Sequence, residues 1–483
     1  MLFNSFSFFL FLPIVLVLYM ITPKKYRWAL LLVASYYFYM SWNATYALLI
    51  AFSTLITYAS GIYIHKAESQ KRKKLIVAIS FITNLAILFF YKYFNFFSET
   101  ITQVFDVIGM NIEAPILDLL LPVGISFYTF QALSYTMDVY RNEIEPERHI
   151  GIYALFVSYF PQLVAGPIER SKHLLPQLRN LKNFDYDNLR SGLLLMLWGF
   201  FKKIVIADRV AILVNTVYDN PGDYTGIETF WAVFFFSIQI FCDFSAYTDI
   251  ARGVARLMGV DIMNNFNSPY FAKSITEFWR RWHISLSTWF RDYLYIPLGG
   301  SRKGLQRTYW NLFIVFLVSG LWHGASMNFV IWGAMHGVFI VLEKMLNKNK
   351  KGVEVSSPKL SSQIFRGLMT FSIVTFLWIF FRANSFSDSV LVVKNLFNWE
   401  TENVFNGSLY TLGVSANEFL WVLVFIVLML LIEYYNSFKS SISKLLMEQH
   451  IVLRWSVYLF FVLIILIFGA YGGEQQEFIY FQF

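Results

Sequence analysis

Two of the seven histidines sit where a polar side chain needs a reason. His323 lies in Ser319-Gly-Leu-Trp-His-Gly-Ala-Ser326, between two strongly apolar runs. Gly320 and Gly324 flank it and permit close backbone approach and a break in a helix. An ionisable residue at membrane depth is expensive and marks function by default. With a reference pKa of about 6.5, a histidine there suits a general base near neutral pH. A packed, hydrogen-bonded histidine is the other reading, and the residues alone leave both open.

His283 belongs to Phe278-Trp-Arg-Arg-Trp-His-Ile-Ser285, followed by Trp289-Phe-Arg-Asp-Tyr293 and Ile296-Pro-Leu-Gly-Gly300. One reading is an interfacial amphipathic helix with tryptophan anchors and arginines reaching to phosphates. The other is a cytoplasmic-side site for a large anionic cofactor, its phosphates gripped by Arg280, Arg281 and Arg291 with Trp282 beside them. The remaining histidines read as structural. His65 and His450 sit in basic loops, His149 and His173 flank a proline-interrupted segment, and His336 in an apolar helix suits helix–helix hydrogen bonding. A single cysteine, Cys242, excludes a disulfide framework, and no zinc-type cluster of Cys and His is present.

The elements that must hold these residues are membrane helices. Of the 483 residues, 57% are hydrophobic, 20% aromatic and only 14% charged, and the mean hydropathy is +0.51. A soluble domain carries about a quarter charged residues, so a soluble enzyme is excluded. A nucleic-acid binder is excluded too, despite the net charge of +8. Apolar runs of membrane-spanning length recur along the whole chain, which makes this an all-α polytopic integral membrane protein. About eleven or twelve spans are expected. Residues 1–470 read as a single transmembrane domain, and residues 471–483 as a short tail.

Loop charge orients the spans. Lys24, Lys25 and Arg27 follow the first segment, Phe6 to Ile21, which has no basic n-region and so reads as a retained span. Lys66, Lys71, Arg72, Lys73 and Lys74 form the next basic cluster on the same side, and Arg141 to Arg190, Arg252 to Arg307 and Lys344 to Arg366 join them. Asn95 to Tyr140 contains no Lys or Arg but carries Glu99, Asp106, Glu113 and Asp118. Positive loops stay cytoplasmic, so both termini are expected outside the cytoplasmic membrane. Two stretches do not read as clean spans. Ile150 to Ala165 is short and broken by Pro161, and Glu277 to Gly300 mixes tryptophans with Arg280, Arg281, His283, Arg291 and Asp292. Irregular, charged backbone at depth is tolerated only against protein, so both are expected to be re-entrant or interfacial. The loop over residues 344–366 reads as a solvated tether.

Taken together, three segments resemble the membrane-bound O-acyltransferase family, in its bacterial alginate and peptidoglycan O-acetylation branch. They are Phe160-Pro-Gln-Leu-Val-Ala-Gly-Pro-Ile-Glu-Arg170, Phe278 to Gly300, and Leu321-Trp-His-Gly-Ala-Ser326. Asp243-Phe-Ser-Ala-Tyr-Thr-Asp-Ile250 is similar to a further segment of that family, with Ala246 where glycine is usual. The resemblance implies acyl transfer through a central tunnel. It makes His323 the catalytic base and His283 its second polar partner. The donor it implies is acetyl-CoA from the cytoplasm, and the acceptor an extracellular or cell-wall polysaccharide such as alginate or peptidoglycan. It further implies a separate extracytoplasmic SGNH-type acetyltransferase as partner. The nearest rival is D-alanyl transfer to teichoic acid, and non-enzymatic readings are a lipid-linked sugar transporter or a scaffold.

The C-terminus, Glu477-Phe-Ile-Tyr-Phe-Gln-Phe483, reads by itself as an interfacial aromatic tail. However, Phe478-x-Tyr480-x-x-Phe483 is similar to the C-terminal aromatic motif of envelope-acylating systems, in which the tyrosine carries the acyl group. By that resemblance Tyr480 is a third catalytic residue, with Phe478, Phe481 and Phe483 as anchors. The chemistry is sound: a phenol of pKa about 10 leaves nearly as well as a thiol of about 8.5. An aryl ester therefore keeps most of the transfer potential of a thioester.

Overall fold

The computed structural model describes residues 1–110, 114–347, 359–399, 407–438, 442–471, 476 and 478–481. The centre of the expected tether, residues 348–358, lies outside them, as does Phe483. The described residues are helical or irregular, with no strand among them. Seven of their helices are long and apolar enough to cross a membrane: Tyr46–Lys66, Gln70–Val107, Gly226–Leu257, Met327–Leu346, Leu360–Arg382, Ala416–Phe438 and Ile451–Phe468. The chain is a multi-pass membrane protein. The larger number of spans expected from hydropathy includes apolar helices that are shorter. Phe6–Ile21 and Ile125–Tyr140 have 16 residues each, about 24 Å of helix at 1.5 Å per residue, against a hydrocarbon core of about 30 Å.

By its contacts the chain divides into two compact units: Met1–Leu193 with Ile250–Met263, and Leu194–Asp249 with Asn264–Phe483. In the first unit, small and polar residues join helices that also pack through rings such as Phe8, Phe11 and Phe38. Ser53 donates to Asn84, Tyr153 to Thr57, and Ser80 pairs with Thr136. This is how membrane helices associate, since lipid tails give apolar side chains no reason to leave them. The proline-interrupted stretch is indeed broken, into Ile150–Ser158 and Phe160–Leu163. Ser35 accepts the Phe160 N–H, and Gln131 and Gln162 both donate to the Phe156 carbonyl. Polar groups that the break strands are thus satisfied by buried side chains.

The second unit carries the chemistry-bearing segments. Leu305–His323 and Met327–Leu346 form a tight helical hairpin in which Gly320 and Gly333 face each other. A Cβ on Gly320 would lie 2.2 Å from the Phe329 carbonyl oxygen, and one on Gly333 would lie 2.4 Å from that of Phe316. Backbone meets backbone at that crossing, and only glycine fits. The pair aligns the C-terminal end of the first helix, where His323 sits, against the N-terminal half of the second. Gly320→Leu should therefore force the helices apart at a cost of about 3 kcal/mol or more. A lowered thermal unfolding midpoint in detergent checks this, with Gly367→Leu as control at a half-buried position where a Cβ would meet only the Ala272 carbonyl oxygen, at 4.0 Å.

A buried histidine pair with a docked aromatic tail

His283 occupies a helix break. The segment Ile275–Arg281 ends on Trp282, and Ile284–Phe290 begins one residue after His283, which itself adopts a left-handed conformation, φ 45° and ψ 55°. Such a backbone is sparsely populated for a residue with a Cβ and persists only where its surroundings enforce it. Here Asn265 enforces it. Its carbonyl accepts the Ile284 N–H at 2.9 Å and its side-chain oxygen accepts the Ser285 N–H at 3.1 Å. The Asn267 N–H closes the other side of the break on the Arg281 carbonyl. The His283 ring is fully buried.

His323 ends its helix and is also buried. Its ring centroid lies 6.4 Å from that of His283, 5.1 Å from Trp332 and 5.3 Å from Phe381. Tyr480 packs against both histidines, with centroids 5.6 Å from His323 and 6.2 Å from His283. The three residues that the sequence singled out for catalysis, with His323 and Tyr480 alone 157 positions apart in the chain, meet in one buried cluster. Phe244 forms its floor, 4.7 Å from His283 and 4.2 Å from Tyr480. Phe478 stacks on Tyr247 at 4.6 Å and is buried. Phe481 continues the short helical turn Ile479–Phe481, and Phe483 falls outside the described residues.

A cavity of about 780 Å³ opens beside the pair. Arg280, Arg291 and Lys344 line it together with Trp279, Leu286, Phe290, Val315, Phe316 and Ser319. Ser319 is one turn from His323, and Leu286 is in the helix that His283 begins. Cations and apolar walls suit a molecule with an anionic part and an uncharged arm. Two residues read from sequence as donor contacts are placed elsewhere. Arg281 turns away to pair with Glu277 at 2.8 Å and donate to Ser437 at 2.8 Å. Trp282 is buried in an aromatic cluster with Phe278, Phe266 and Trp378. The difference follows from helical spacing: residues adjacent in a helix point about 100° apart, so a run of four polar and aromatic residues cannot share one face. Arg291, exposed, pairs with Asp292 at 2.8 Å, and that hydrogen bond raises its pKa. His336 accepts a hydrogen bond from the Trp279 indole at 3.2 Å, the structural role expected of it.

Sequence reasoning missed a set of buried charges. Lys202 and Lys203 lie in a π-helical turn, Phe201–Ala207, which widens the helix and turns both inward. Lys202 pairs with Asp249 at 2.7 Å and donates to Ser245 at 2.8 Å. Lys203 pairs with Asp243 at 2.7 Å and Asp208 at 2.8 Å. The signal was available: two lysines inside the apolar run from Leu193 to Val217 had no loop to occupy. The motif Asp243 to Ile250 thereby gains a physical sense. Asp243, Phe244 and Tyr247 face the tail, whereas Ser245 and Asp249 hold Lys202. No group of three or more potential metal ligands occurs among the described residues.

An all-helical membrane body with a buried histidine pair, and an amphiphilic cavity lined from the helices next to both histidines, suits an integral membrane group-transfer enzyme. Comparison with known proteins makes the class specific. The model of MBOAT, the membrane-bound O-acyltransferase family, matches residues 149–385. A probable alginate O-acetylase AlgI of Pseudomonas aeruginosa is 39% identical over 405 residues, 83% of this chain and 76% of that protein. The peptidoglycan O-acetyltransferase of Helicobacter pylori is 35% identical over 417 residues, 81% and 76% of the two chains. A teichoic acid D-alanyltransferase of Bacillus subtilis is more distant, 28% identical over 276 residues, 55% and 69% of the two. The chain belongs to the membrane-bound O-acyltransferase family, and it is an O-acyltransferase.

The Lys202–Asp249 pair yields a stability test. Lys202→Met alone leaves Asp249 buried without its cation and should cost about 3–5 kcal/mol, whereas Lys202→Met with Asp249→Leu should recover most of it. Thermal unfolding of the two variants in detergent measures the difference.

Proposed function

We propose that this protein moves an acetyl group from cytoplasmic acetyl-CoA across the membrane for O-acetylation of an extracellular or cell-wall polysaccharide, with Tyr480 as an acyl carrier. The observation that carries the reading is the meeting of Tyr480 with His323 and His283 in one buried cluster, with ring centroids 5.6 and 6.2 Å away. In this mechanism the donor lies in the cavity with its phosphates toward Arg280, Arg291 and Lys344 and its thioester toward the histidines. His323 takes the phenol proton of Tyr480 as the oxygen attacks the thioester carbonyl. The new carbon–oxygen bond forms, the carbon–sulfur bond breaks, and the thiolate leaves with the proton that His323 returns. His283 is the second polar partner of the reacting groups. Delivery follows from the other side of the membrane, where the chain termini lie. An SGNH-type partner, or the polysaccharide itself, takes the acetyl group from the tyrosyl ester.

Acetyl is favoured over D-alanyl because the relatives named for O-acetylation share 35–39% identity over most of the chain, against 28% over 55% for the D-alanyltransferase. Alginate and peptidoglycan are the acceptors that those names suggest, and both fit a transfer that ends outside the cytoplasm.

His323→Ala should reduce polysaccharide acetylation in cells to background at normal protein level, measured as base-labile acetate. Persistent acetylation would overturn the mechanism. Tyr480→Phe removes one oxygen and leaves the packing, and should be as inactive. Wild-type activity in that variant would eliminate the tyrosyl relay while leaving a histidine-based enzyme. Mass spectrometry of the C-terminal peptide after incubation with acetyl-CoA should find the ester on Tyr480 and none on the His323→Ala variant.

A further inference from the structure

The way the tail is held has more in it than burial of aromatic rings. After the last membrane helix, Arg209 donates to the Phe468 and Gly469 carbonyls at 3.3 and 3.2 Å while paired with Glu418 at 2.6 Å. The Ala470 N–H then donates to the Ile204 carbonyl at 3.1 Å. Further along, Lys203 donates to the Gln476 carbonyl at 3.3 Å, and Asn215 donates to the Gln476 side-chain oxygen at 3.1 Å. Three residues later the Ile479 N–H donates to Asp243 at 2.7 Å. Lys203 and Asp243 are themselves an ion pair. One buried pair thus holds the tail backbone twice, by an acceptor at 476 and a donor at 479.

An ammonium has three donors, and those of Lys203 go to Asp243, Asp208 and the tail. Of the Asp243 oxygens, one faces Lys203 and the other the tail. The tail therefore completes the polar satisfaction of a charged cluster in an apolar surrounding, where unfilled hydrogen-bonding sites are costly. Asn215 is in turn oriented by Arg382, whose guanidinium donates to its side-chain oxygen at 2.9 Å. Its amide then points at Gln476, a residue with a matching acceptor. Backbone contacts at two points and a side-chain contact at one specify register, because a slip of one residue displaces every group by about 2–3 Å along the chain.

We propose that Lys203, Asp243 and Asn215 are positioning residues that form a register clamp. They read Gln476 and Ile479 and so present Tyr480, the next residue, to the histidine pair. The inference rests on the relay reading of Tyr480, but its physical part does not: the clamp should hold the tail whether or not Tyr480 is acylated. Holding the nucleophile in register replaces a diffusing tail with a high local concentration in one geometry, and small displacements there are expensive.

The test combines carboxypeptidase trimming of the purified full-length protein with mass spectrometry of the Tyr480 ester formed from acetyl-CoA. In the wild type, trimming should stop short of Tyr480. The double variant Lys203→Met with Asp243→Leu, made in an Asp208→Asn background because Asp208 is the second buried partner of Lys203, replaces the ion pair by apolar groups of similar volume and so leaves no unpaired charge. It should elute as a single monodisperse species, lose Tyr480 to the peptidase, and form ester roughly 100-fold more slowly. Ile479→Pro attacks the same hydrogen bond from the tail, since proline has no N–H to donate. It cannot unfold the membrane body, and should give the same loss of protection. Lys203→Arg should retain more protection and ester formation than Lys203→Met. The clamp is overturned if the double variant and Ile479→Pro both keep wild-type protection, or if both form ester within two-fold of the wild-type rate. Absence of ester in the wild type would overturn the relay instead, and the protection measurements would still decide the clamp.

Discussion

Every interruption of a helix in a chain this apolar strands N–H and C=O groups where water is scarce, and each stranded group needs a partner from the protein. That constraint organises the site. His283 can stand at a break because Asn265 accepts the two N–H groups that follow it. The tail can be buried at Gln476 and Ile479 because Lys203 and Asp243 take a carbonyl and an N–H from it. Phe160 begins a new helix after a kink because Ser35 accepts its N–H. Irregular backbone gives side chains directions that a continuous helix denies them. It is available here only where a dedicated polar side chain has been buried to support it.

The polar groups involved are few, and they are held by opposite means. Aromatic stacking shapes the cluster around His323, Tyr480 and Phe244. Charged hydrogen bonds fix the tail backbone beside them and tolerate little displacement. In the proposed relay, packed rings surround the reacting groups and charged hydrogen bonds mount the chain that carries Tyr480.

Much of this was legible in the residues. The membrane class follows from composition, the two irregular segments from charges and prolines inside apolar runs, and His283 and His323 from their placement in such segments. The C-terminal aromatic motif named Tyr480. Partner choice was not legible. Arg280 and Arg281 are neighbours in sequence, yet one lines the cavity and the other binds Glu277 and Ser437. Trp282 looked like part of a donor site and is a packing residue. Nothing in a linear reading joins Asp243 to Ile479, 236 residues away, or Asn215 to Gln476. The π-turn at Phe201–Ala207 was equally hidden, because its effect is to rotate two lysines by an amount that helical periodicity does not anticipate. Long-range pairing among single polar residues depends on topology, which the pattern of spans constrains only loosely.

The hydrogen bond from Trp279 to His336 has a consequence for the chemistry of its neighbours. An indole nitrogen can only donate, so the Nδ1 atom of His336 must be the acceptor and carry no proton. The ring is then fixed as the neutral tautomer with its proton on Nε2, and an imidazolium at this position would set one N–H against another. His336 lies 4.9 Å from Trp332, which in turn lies 5.1 Å from His323. A third imidazole so near the histidine pair could otherwise trade protons with it. Held in one tautomer by the Trp279 indole, it is withdrawn from proton exchange. In the proposed mechanism, proton transfer is thereby left to His283 and His323.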